Sequence, residues 1–322
     1  EVSQFAYCRN SSEPDVSDNG SSSERNGMNK VLCFGSLNID YVYQVDHFVQ
    51  KGETLQSQGL NVYTGGKGLN QSVALSRAGC KTFHAGMIGE DGRFLLDVLA
   101  KSKVDISRIA ISGQVRTGNA IIQNNKEGDN CIMLYAGANH QITEEMADAA
   151  LADFGEGDYL VVQNEINCLS YIIQAAKKKG LVIVLNPSPV DENLTEENLQ
   201  LVDYLVLNEI EASALTGYQS ERVEGLAAAL QNKYPHSRCV LTLGDKGSCY
   251  IDGDIRIHQK IFPMAVKDTT AAGDTFLGYF VASLLQGRDI AGSLRRASKA
   301  ASIAISRVGA APSIPWGREV SD

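Results

Sequence analysis

The residues best suited to catalysis lie in one stretch, residues 266–276. The first half of this stretch is small and polar, and its second half opens an apolar pattern of helical spacing that includes Phe276, Phe280 and Leu284. Gly273 stands where that helix would begin. The unpaired N–H groups of a helix start, together with the positive end of the helix dipole, favour a bound anion. The stretch therefore predicts an anion site at the start of a helix.

Asp274 directly follows this glycine and needs its own explanation. A carboxylate beside a bound anion repels it unless the carboxylate has another task. One such task is to accept a proton from a hydroxyl group that attacks phosphorus. The alternative is a simple helix cap, in which Asp accepts backbone N–H groups and Gly forms the turn. On this stretch alone the cap is the simpler interpretation.

A second glycine-rich stretch, Gly-Gly-Lys-Gly-Leu-Asn-Gln at residues 65–71, leads into a predicted helix that ends at Gly79. It is not a phosphate-binding P-loop, because Lys67 is not followed by Ser or Thr. Its glycines allow the backbone to approach a ligand closely, while Lys67 and Asn70 offer hydrogen-bonding groups to hydroxyls. A tight strand-to-helix turn is the alternative, and the motif alone does not decide between them.

The elements that would position these motifs are alternating strands and helices. Residues 30–38 predict a first strand that is buried on both faces. From Asp158 onward the pattern is that of repeated βα units, which predicts a parallel sheet with helices on both faces. Asn38 and Asp40 follow the first strand at its carboxyl end, where open α/β sheets bind ligands. An ordinary pair of turn residues is the alternative.

Several later strands also end in polar or small residues. Each of these is by itself an ordinary loop residue, but on the carboxyl edge of one parallel sheet they would form one site. They are Glu165, Asn186, Asn208, Thr242 and Gly244.

Two segments have a different pattern. Residues 41–63 and 115–135 alternate loosely between apolar and polar side chains and are interrupted by glycines and polar turns. This pattern predicts short strands of a small separate sheet.

The composition excludes several classes of protein. The chain of 322 residues has 29 basic and 38 acidic side chains, which argues against a general affinity for nucleic acid or an anionic membrane. Its seven cysteines are scattered without metal-ligand spacing, and no run is long enough to span a bilayer. These features predict a cytoplasmic protein. Residues 1–29 are serine-rich and polar, which predicts a flexible N-terminal extension.

The two glycine-containing stretches together resemble a known family. Asp-Thr-Thr-Ala-Ala-Gly-Asp-Thr-Phe at residues 268–276 and the stretch at residues 65–71 are similar to the two signatures of the ribokinase (pfkB) family of sugar kinases. The segments at residues 35–40, 137–139 and 309–316 also resemble this family. The resemblance runs from about residue 30 to residue 316, and two long motifs in the expected order are far more specific than one glycine-rich loop.

The resemblance implies a fold and an assembly. We expect a three-layer α/β/α ribokinase-like fold with a mostly parallel central sheet and a small β-sheet lid over the sugar. The kinase domain would cover residues 30–322, with the lid at about residues 41–64 and 115–136. Since lids of this family often pair two subunits, a homodimer through the lid is expected.

The resemblance also implies an activity. We expect an ATP-dependent kinase with D-ribose as the favoured acceptor and D-ribose 5-phosphate as the product. The acceptor could instead be fructose, deoxyribose, a sugar acid or a nucleoside, because the motifs specify the reaction better than the sugar. A non-catalytic sensor of a sugar or nucleotide would be expected to lose Asp274 or Gly273, and both are present. An oxidoreductase is disfavoured, because no Gly-x-Gly-x-x-Gly follows the first strand.

The resemblance assigns the site residues in four groups. Asp274 would be the catalytic base, beside an anion hole of Ala271, Ala272 and Gly273. The sugar would be bound by Asn38, Asp40, Gly66, Lys67, Asn70, Glu165 and Asp274. ATP with Mg²⁺ would be bound by Asn208, Glu211, Thr242, Gly244, Gly247 and Gly273. A monovalent cation, K⁺, would be held near Asp268, Thr270, Ala304, Arg307, Gly309 and Ser313.

Overall fold

The computed structural model describes residues 6–7, 29–219 and 222–320. The strands of these residues are β1 (Ala6–Tyr7), β2 (Val31–Phe34), β3 (Asn38–Gln44), β4 (Gly59–Gly65), β5 (Thr82–Gly89), β6 (Asp105–Ser112), β7 (Gly118–Asn124), β8 (Asn130–Tyr135), β9 (Tyr159–Gln163), β10 (Val182–Asn186), β11 (Tyr204–Asn208), β12 (Arg238–Thr242), β13 (Ser248–Asp252) and β14 (Ile255–Gln259). The helices are α1 (Lys67–Arg77), α2 (Arg93–Lys101), α3 (Glu144–Leu151), α4 (Leu169–Lys178), α5 (Glu196–Leu199), α6 (Glu209–Thr216), α7 (Val223–Lys233), α8 (Ala272–Leu285) and α9 (Ile290–Ile305).

A large sheet of ten of these strands has the order β1-β6-β5-β2-β9-β10-β11-β12-β13-β14. Neighbouring strands from β6 to β12 run parallel, and β1, β13 and β14 at the edges pair antiparallel. The βα pattern thus predicted the central sheet correctly.

Helices cover both faces of this sheet. Side chains alternate between two apolar clusters along each central strand, because successive residues of a strand point to opposite faces. Leu32 and Leu160 lie in the cluster that includes α4, whereas Val31 and Val161 lie in the cluster that includes α1 and α8. The expected three-layer α/β/α arrangement is confirmed.

The small sheet has the order β4-β3-β7-β8, as the two alternating segments predicted. One boundary differs from the prediction: the first strand ends at Phe34, and Asn38 is the first residue of β3 in the small sheet. The chain turns at Gly35 because it meets the start of α1 there. A Cβ at Gly35 would lie 2.8 Å from the Cα of Gly68. Asn38 and Asp40 therefore belong to the lid.

Helices α1 and α8 cross closely beneath the lid. A Cβ at Gly278 of α8 would lie only 2.4 Å from the Cβ of Ala74 on α1. Asn70 and Asp274 precede these two residues by four positions, which is about one helical turn. The glycine at the crossing thus allows the two sequence motifs to face each other.

Some expectations fall on the chain termini and the cysteines. Ala6–Tyr7 pairs with β6, and the remainder of the predicted extension up to residue 28 lies outside the described residues. The six described cysteines are free; Cys33, Cys239 and Cys249 are buried, whereas Cys131 is exposed on β8. Within the described ranges, no helix combines the length and the apolar character that crossing a bilayer requires.

Candidate active site

The start of α8 has the geometry of an anion site. Its N-cap, Ala271, is in the left-handed region with φ 59° and ψ 14°, which costs a non-glycine residue about 1–2 kcal/mol. Ala272 N–H donates to the carbonyl of Thr269 at 3.2 Å. The N–H groups of Gly273 and Asp274 follow in the first turn, where the helix offers no acceptor. A Cβ at Gly273 would have open space around it, so this side of the helix start is accessible.

Two amide side chains of α1 hold the Asp274 carboxylate. Asn70 Nδ2 donates to Asp274 Oδ2 at 3.1 Å, and Gln71 Nε2 donates to Asp274 Oδ1 at 2.9 Å. Both amides are buried. Each carboxylate oxygen therefore has its own donor, which prevents the carboxylate from rotating freely.

Glu165, which follows β9, links the start of α1 to the turn that follows β2. Its Oε2 accepts hydrogen bonds from Ser36 Oγ and, at 3.3 Å, from the backbone N–H of Lys67. Burial raises the pKa of Glu165, with the nearby Lys67 charge opposing the effect. Burial disfavours the charge on Lys67, but Asp274, Glu165 and Glu211 together raise the Lys67 pKa. Lys67 is therefore an ammonium group among three carboxylates.

Asp40 lies on β3, close enough to Glu165 for the two carboxylates to interact. Burial, together with the charge of Glu165, raises the pKa of Asp40 to about 6. The partner strand gives Asp40 its space, because a Cβ at Gly65 would lie 2.2 Å from Asp40 Oδ2. On the same strand, Asn38 Oδ1 accepts a hydrogen bond of 2.7 Å from Asn139 Nδ2.

Gly66 is required by the backbone. Its φ is 95°, in the region that favours glycine. A Cβ there would also lie 2.7 Å from the carbonyl oxygen of Ser36. The close approach predicted at this glycine is thus an approach to Ser36, in the turn that follows β2. This contact fixes where α1 begins.

Asn208 and Glu211 form a capping box at the start of α6. Asn208 Oδ1 accepts the Glu211 N–H at 2.8 Å, and Glu211 Oε2 accepts the Asn208 N–H at 3.0 Å. Asn186 Nδ2 also approaches Glu211 Oε2 at 3.5 Å. The cap holds the Glu211 carboxylate beside Asn208, the residue that was predicted to lie at the carboxyl edge of the sheet.

A cavity of about 170 Å³ lies at the starts of α1, α6 and α8. Its lining combines residues predicted for catalysis, sugar and nucleotide: Lys67, Asn186, Val206, Leu207, Asn208, Glu211, Thr242, Thr269, Ala271, Ala272, Gly273, Asp274 and Leu277. The residues predicted to bind the sugar lie outside its lining except for Lys67 and Asp274; those outside are Asn38, Asp40, Gly66, Asn70 and Glu165. Gly244 and Gly247 lie beyond this lining, in the turn after β12. Gly247 has a packing role there, because a Cβ would lie 2.0 Å from the carbonyl oxygen of Gln259.

The predicted cation loop is partly assembled around Asp268. Asp268 Oδ1 accepts the N–H of Thr270 at 2.9 Å and its hydroxyl at 2.6 Å, and Oδ2 accepts the N–H of Gly309 at 2.8 Å. Burial acts to raise the pKa of Asp268, but these hydrogen bonds outweigh it and the pKa is lowered. The loop therefore keeps a fixed negative charge.

The other predicted cation residues have partners of their own. Ala304 O accepts the N–H of Arg307 at 3.0 Å. The Arg307 guanidinium pairs with Glu319 at 2.7 Å, and Ser313 Oγ donates to Ala310 O at 2.8 Å. The described residues contain no cluster of three His, Cys, Asp or Glu side chains that could hold a metal. A cation in this loop would therefore depend on backbone carbonyl oxygens together with Asp268.

The sequence did not single out four residues that contact the site: Ser36, Gln71, Asn139 and Gln163. Gln71 directly follows Asn70 at the start of a helix that must face Asp274. This position could have predicted its contact with Asp274. Gln163 ends an apolar strand one residue before the turn to Glu165. A buried amide at that place reveals its role only when the partner elements are known.

Comparisons with known proteins agree with this geometry. The chain matches the pfkB family carbohydrate kinase model over residues 28–317. It is 36% identical to a ribokinase from Haemophilus influenzae over 91% of this chain and 97% of that protein. A ribokinase structure from Thermotoga maritima is 32% identical, with a TM-score of 0.81 over 90% of this chain and 97% of the other. The Arabidopsis thaliana ribokinase, solved with ribose and ATP, is 28% identical, with a TM-score of 0.83 over 91% and 98% of the two chains.

Proposed function

Since the chain belongs to the pfkB family of carbohydrate kinases, we propose that it transfers the γ-phosphoryl group of ATP to the 5-hydroxyl group of D-ribose. Two ribokinases match 91% of its length, at 36% and 34% identity, which supports ribose as the acceptor. The observation that carries the proposal is the position of Asp274. Its carboxylate is held by Asn70 and Gln71 and lines one cavity with Lys67 and Gly273.

In the proposed reaction Asp274 is the general base. It takes the proton of the sugar hydroxyl as the hydroxyl oxygen bonds to phosphorus, and ADP leaves from the opposite side. The N–H groups of Gly273 and Asp274 would donate to the phosphoryl oxygens, over which negative charge is spread in the loose transition state. Lys67 adds a positive charge to the same cavity.

The sugar would lie between the lid and the start of α1. Asn38, Asp40 and Glu165 supply hydrogen-bond acceptors, and Lys67 and Asn70 supply donors. Such a set suits a small uncharged polyol, because every buried group needs a hydroxyl partner. Two carboxylates in the site would repel a sugar acid.

ATP would occupy the side of the cavity that contains Asn208, Glu211 and Thr242. Gly244 and Gly247 in the following turn would lie along the nucleotide. The oxygen atoms of Asn208 and Glu211 suit Mg²⁺, which prefers carboxylate and carbonyl oxygens and retains waters. When bound, Mg²⁺ would neutralise charge on the ATP phosphates.

A K⁺ ion would lie near Asp268, Thr270 and Gly309, supported by the fixed charge of Asp268 and by carbonyl oxygens of the chain around Ala304, Arg307 and Ser313. The occupied loop would fix the backbone that leads into the anion site at the start of α8. Asp268 precedes Ala271 by only three residues, so a displacement of this loop is transmitted directly to the N-cap.

The lid would also join two subunits. Its outer strands β4 and β8 expose Leu60, Val62, Met133 and Tyr135, each at half of its full accessibility or more, and the strand register places these four side chains on one face of the small sheet. An exposed apolar patch of this kind commonly marks a protein interface, and the family resemblance favours a second copy of this chain. Free thiols at Cys33, Cys239 and Cys249 suit a reducing compartment, which we take to be the cytoplasm.

A panel of acceptors tests the proposal. ATP consumption is measured with ribose, fructose, deoxyribose, a nucleoside and a keto-sugar acid, and kcat/KM should be greatest for ribose. If another acceptor exceeds ribose by about tenfold, equivalent to about 1.4 kcal/mol of transition-state preference, ribose is the wrong substrate. If no acceptor stimulates ATP consumption, the chain is a sensor and the kinase assignment fails.

A further inference from the structure

We propose that Gln163 is a positioning residue for phosphoryl transfer and acts on Asp274 through the side chain of Gln71. Gln163 Nε2 donates to Gln71 Oε1 at 2.7 Å, and Gln71 Nε2 donates to Asp274 Oδ1 at 2.9 Å. The three residues lie on β9, α1 and α8. The inference rests on the proposed function, in which Asp274 is the general base.

The first step concerns the orientation of the Gln71 amide. An amide has a donor end and an acceptor end, and the wrong end at Asp274 would place a carbonyl oxygen against a carboxylate oxygen. The donor of Gln163 requires an oxygen from Gln71 on its side. Gln71 then presents its NH₂ group to Asp274. Because Gln71 and Gln163 are 1% and 0% exposed, water cannot replace either bond, and the low local dielectric strengthens both.

The second step concerns the carboxylate itself. Gln71 fixes Oδ1 while Asn70 fixes Oδ2, so the plane of the carboxylate is set by two donors from one helix. A general base must lie within hydrogen-bonding reach of the proton that it removes. An unfixed Gln71 would leave only one donor and would allow the carboxylate to turn about that single bond.

Stability does not explain the amide at residue 163. Gln163 Oε1 is buried and has no hydrogen-bond partner within the described part of the chain, which is unfavourable for folding. Its other neighbour, Cys33 Sγ, lies 3.7 Å from Nε2 and makes a weak contact. Burial raises the pKa of Cys33 to about 11, so the thiol is neutral and offers no charge for the amide to satisfy.

The surrounding backbone is also shaped for this amide. A Cβ at Gly35 would lie 2.1 Å from Gln163 Oε1, so any larger residue at 35 would displace the side chain. A methionine at 163 has nearly the same shape and would fit the same space without an unpaired oxygen of its own. Methionine would leave Gln71 Oε1 unpaired in place of Gln163 Oε1, so folding gains little from glutamine at 163, whereas the orientation of Gln71 requires it.

The test is a double-mutant cycle with Gln163→Met and Gln71→Met. The parent protein is assayed first with the acceptor panel, and its best acceptor is used throughout, so an inactive parent refutes the proposed function rather than this inference. In Gln163→Met we expect kcat to fall about tenfold, a fraction of the about 100-fold loss that a misplaced catalytic group can cause. The KM values for sugar and ATP should stay within about twofold, because neither substrate loses a contact.

The cycle separates a positioning role from a structural one. Since Gln163 acts only through Gln71, adding Gln163→Met to Gln71→Met should change kcat no further. The thermal midpoint of Gln163→Met should stay close to that of the parent, because the variant removes the unpaired Gln163 Oε1 but leaves Gln71 Oε1 without its donor. The proposal would be overturned if the double variant had a lower kcat than Gln71→Met alone. An unchanged kcat in Gln163→Met would also overturn it. A variant that unfolds or loses stability would also overturn it, because the amide would then be a structural requirement.

Discussion

The charge on Asp40 should make the protein less stable as the pH rises. The pKa of this group is about 6 in the folded protein, against an ordinary value of 3.8. The folded protein therefore holds this proton in a range where the unfolded chain has released it. The stability that the protonated Asp40 contributes is lost as the pH rises from about 4 to about 6. Above that range the folded protein bears the full cost of ionising Asp40.

The size of the effect follows from the two pKa values. For a single group the cost of ionisation is about 1.6 kcal/mol at pH 5 and about 3 kcal/mol at pH 8. Asp40→Asn cannot ionise and avoids this cost at every pH. The difference in unfolding free energy between Asp40→Asn and the parent should thus grow by about 1.4 kcal/mol in favour of the variant between pH 5 and pH 8.

Urea denaturation of both proteins at the two pH values measures this difference, and effects of other titrating groups largely cancel. Asp91→Asn is a matched control for which no change between the two pH values is expected. Burial acts to raise the pKa of Asp91, but hydrogen bonds from Thr117 and Arg116 outweigh it and lower the pKa. Asp91 is therefore ionised in the folded and the unfolded protein at both pH values, and the difference in unfolding free energy between Asp91→Asn and the parent should be the same at pH 5 and at pH 8. A difference for Asp40→Asn that is constant or shrinks with pH would refute the reasoning.

Two further predictions concern the cation and the lid. Activity in a K⁺ buffer should exceed activity with only a bulky organic cation, and Asp268→Ala should abolish this dependence; equal rates of the parent in the two buffers would show that no cation acts there. Met133→Lys places a charge on the exposed apolar face that β4 and β8 share and should shift sedimentation from dimer to monomer, because a buried unpaired charge opposes association. A parent protein that sediments as a monomer would contradict the lid interface.

The elements of the large sheet could be predicted because their signals are local. The length of a continuous apolar run, such as the one in β9, shows how long the strand is, and its composition shows that the strand is buried. Alternation of strands with helices specifies a parallel sheet. The predicted first strand is longer than the observed one because a tertiary contact sets where the strand ends. The backbone of Gly68, near the start of α1, lies against Gly35. Nothing in the sequence near Gly35 shows that α1 packs against it.

The site was predictable to the extent that its groups lie in the motifs themselves. Asp274, Asn70 and Lys67 come together as expected, whereas the links that hold them depend on three elements at once. Gln163 and Gln71 meet only after β9, α1 and α8 have packed. The left-handed conformation of Ala271 was equally hidden, because a non-glycine residue gives no local sign of it.

The most direct test of the account is the kcat of Asp274→Asn. Asparagine keeps the size of the side chain but cannot accept the proton, so kcat should fall by about 10²-fold or more while ATP affinity changes little. Asp289→Asn is the matched control, because Asp289 caps α9 by accepting the N–H of Gly292 at 2.8 Å and asparagine caps equally well. The control should keep the parent rate. An Asp274→Asn protein whose kcat lies within a few-fold of the parent would contradict the assignment of Asp274 as the catalytic base.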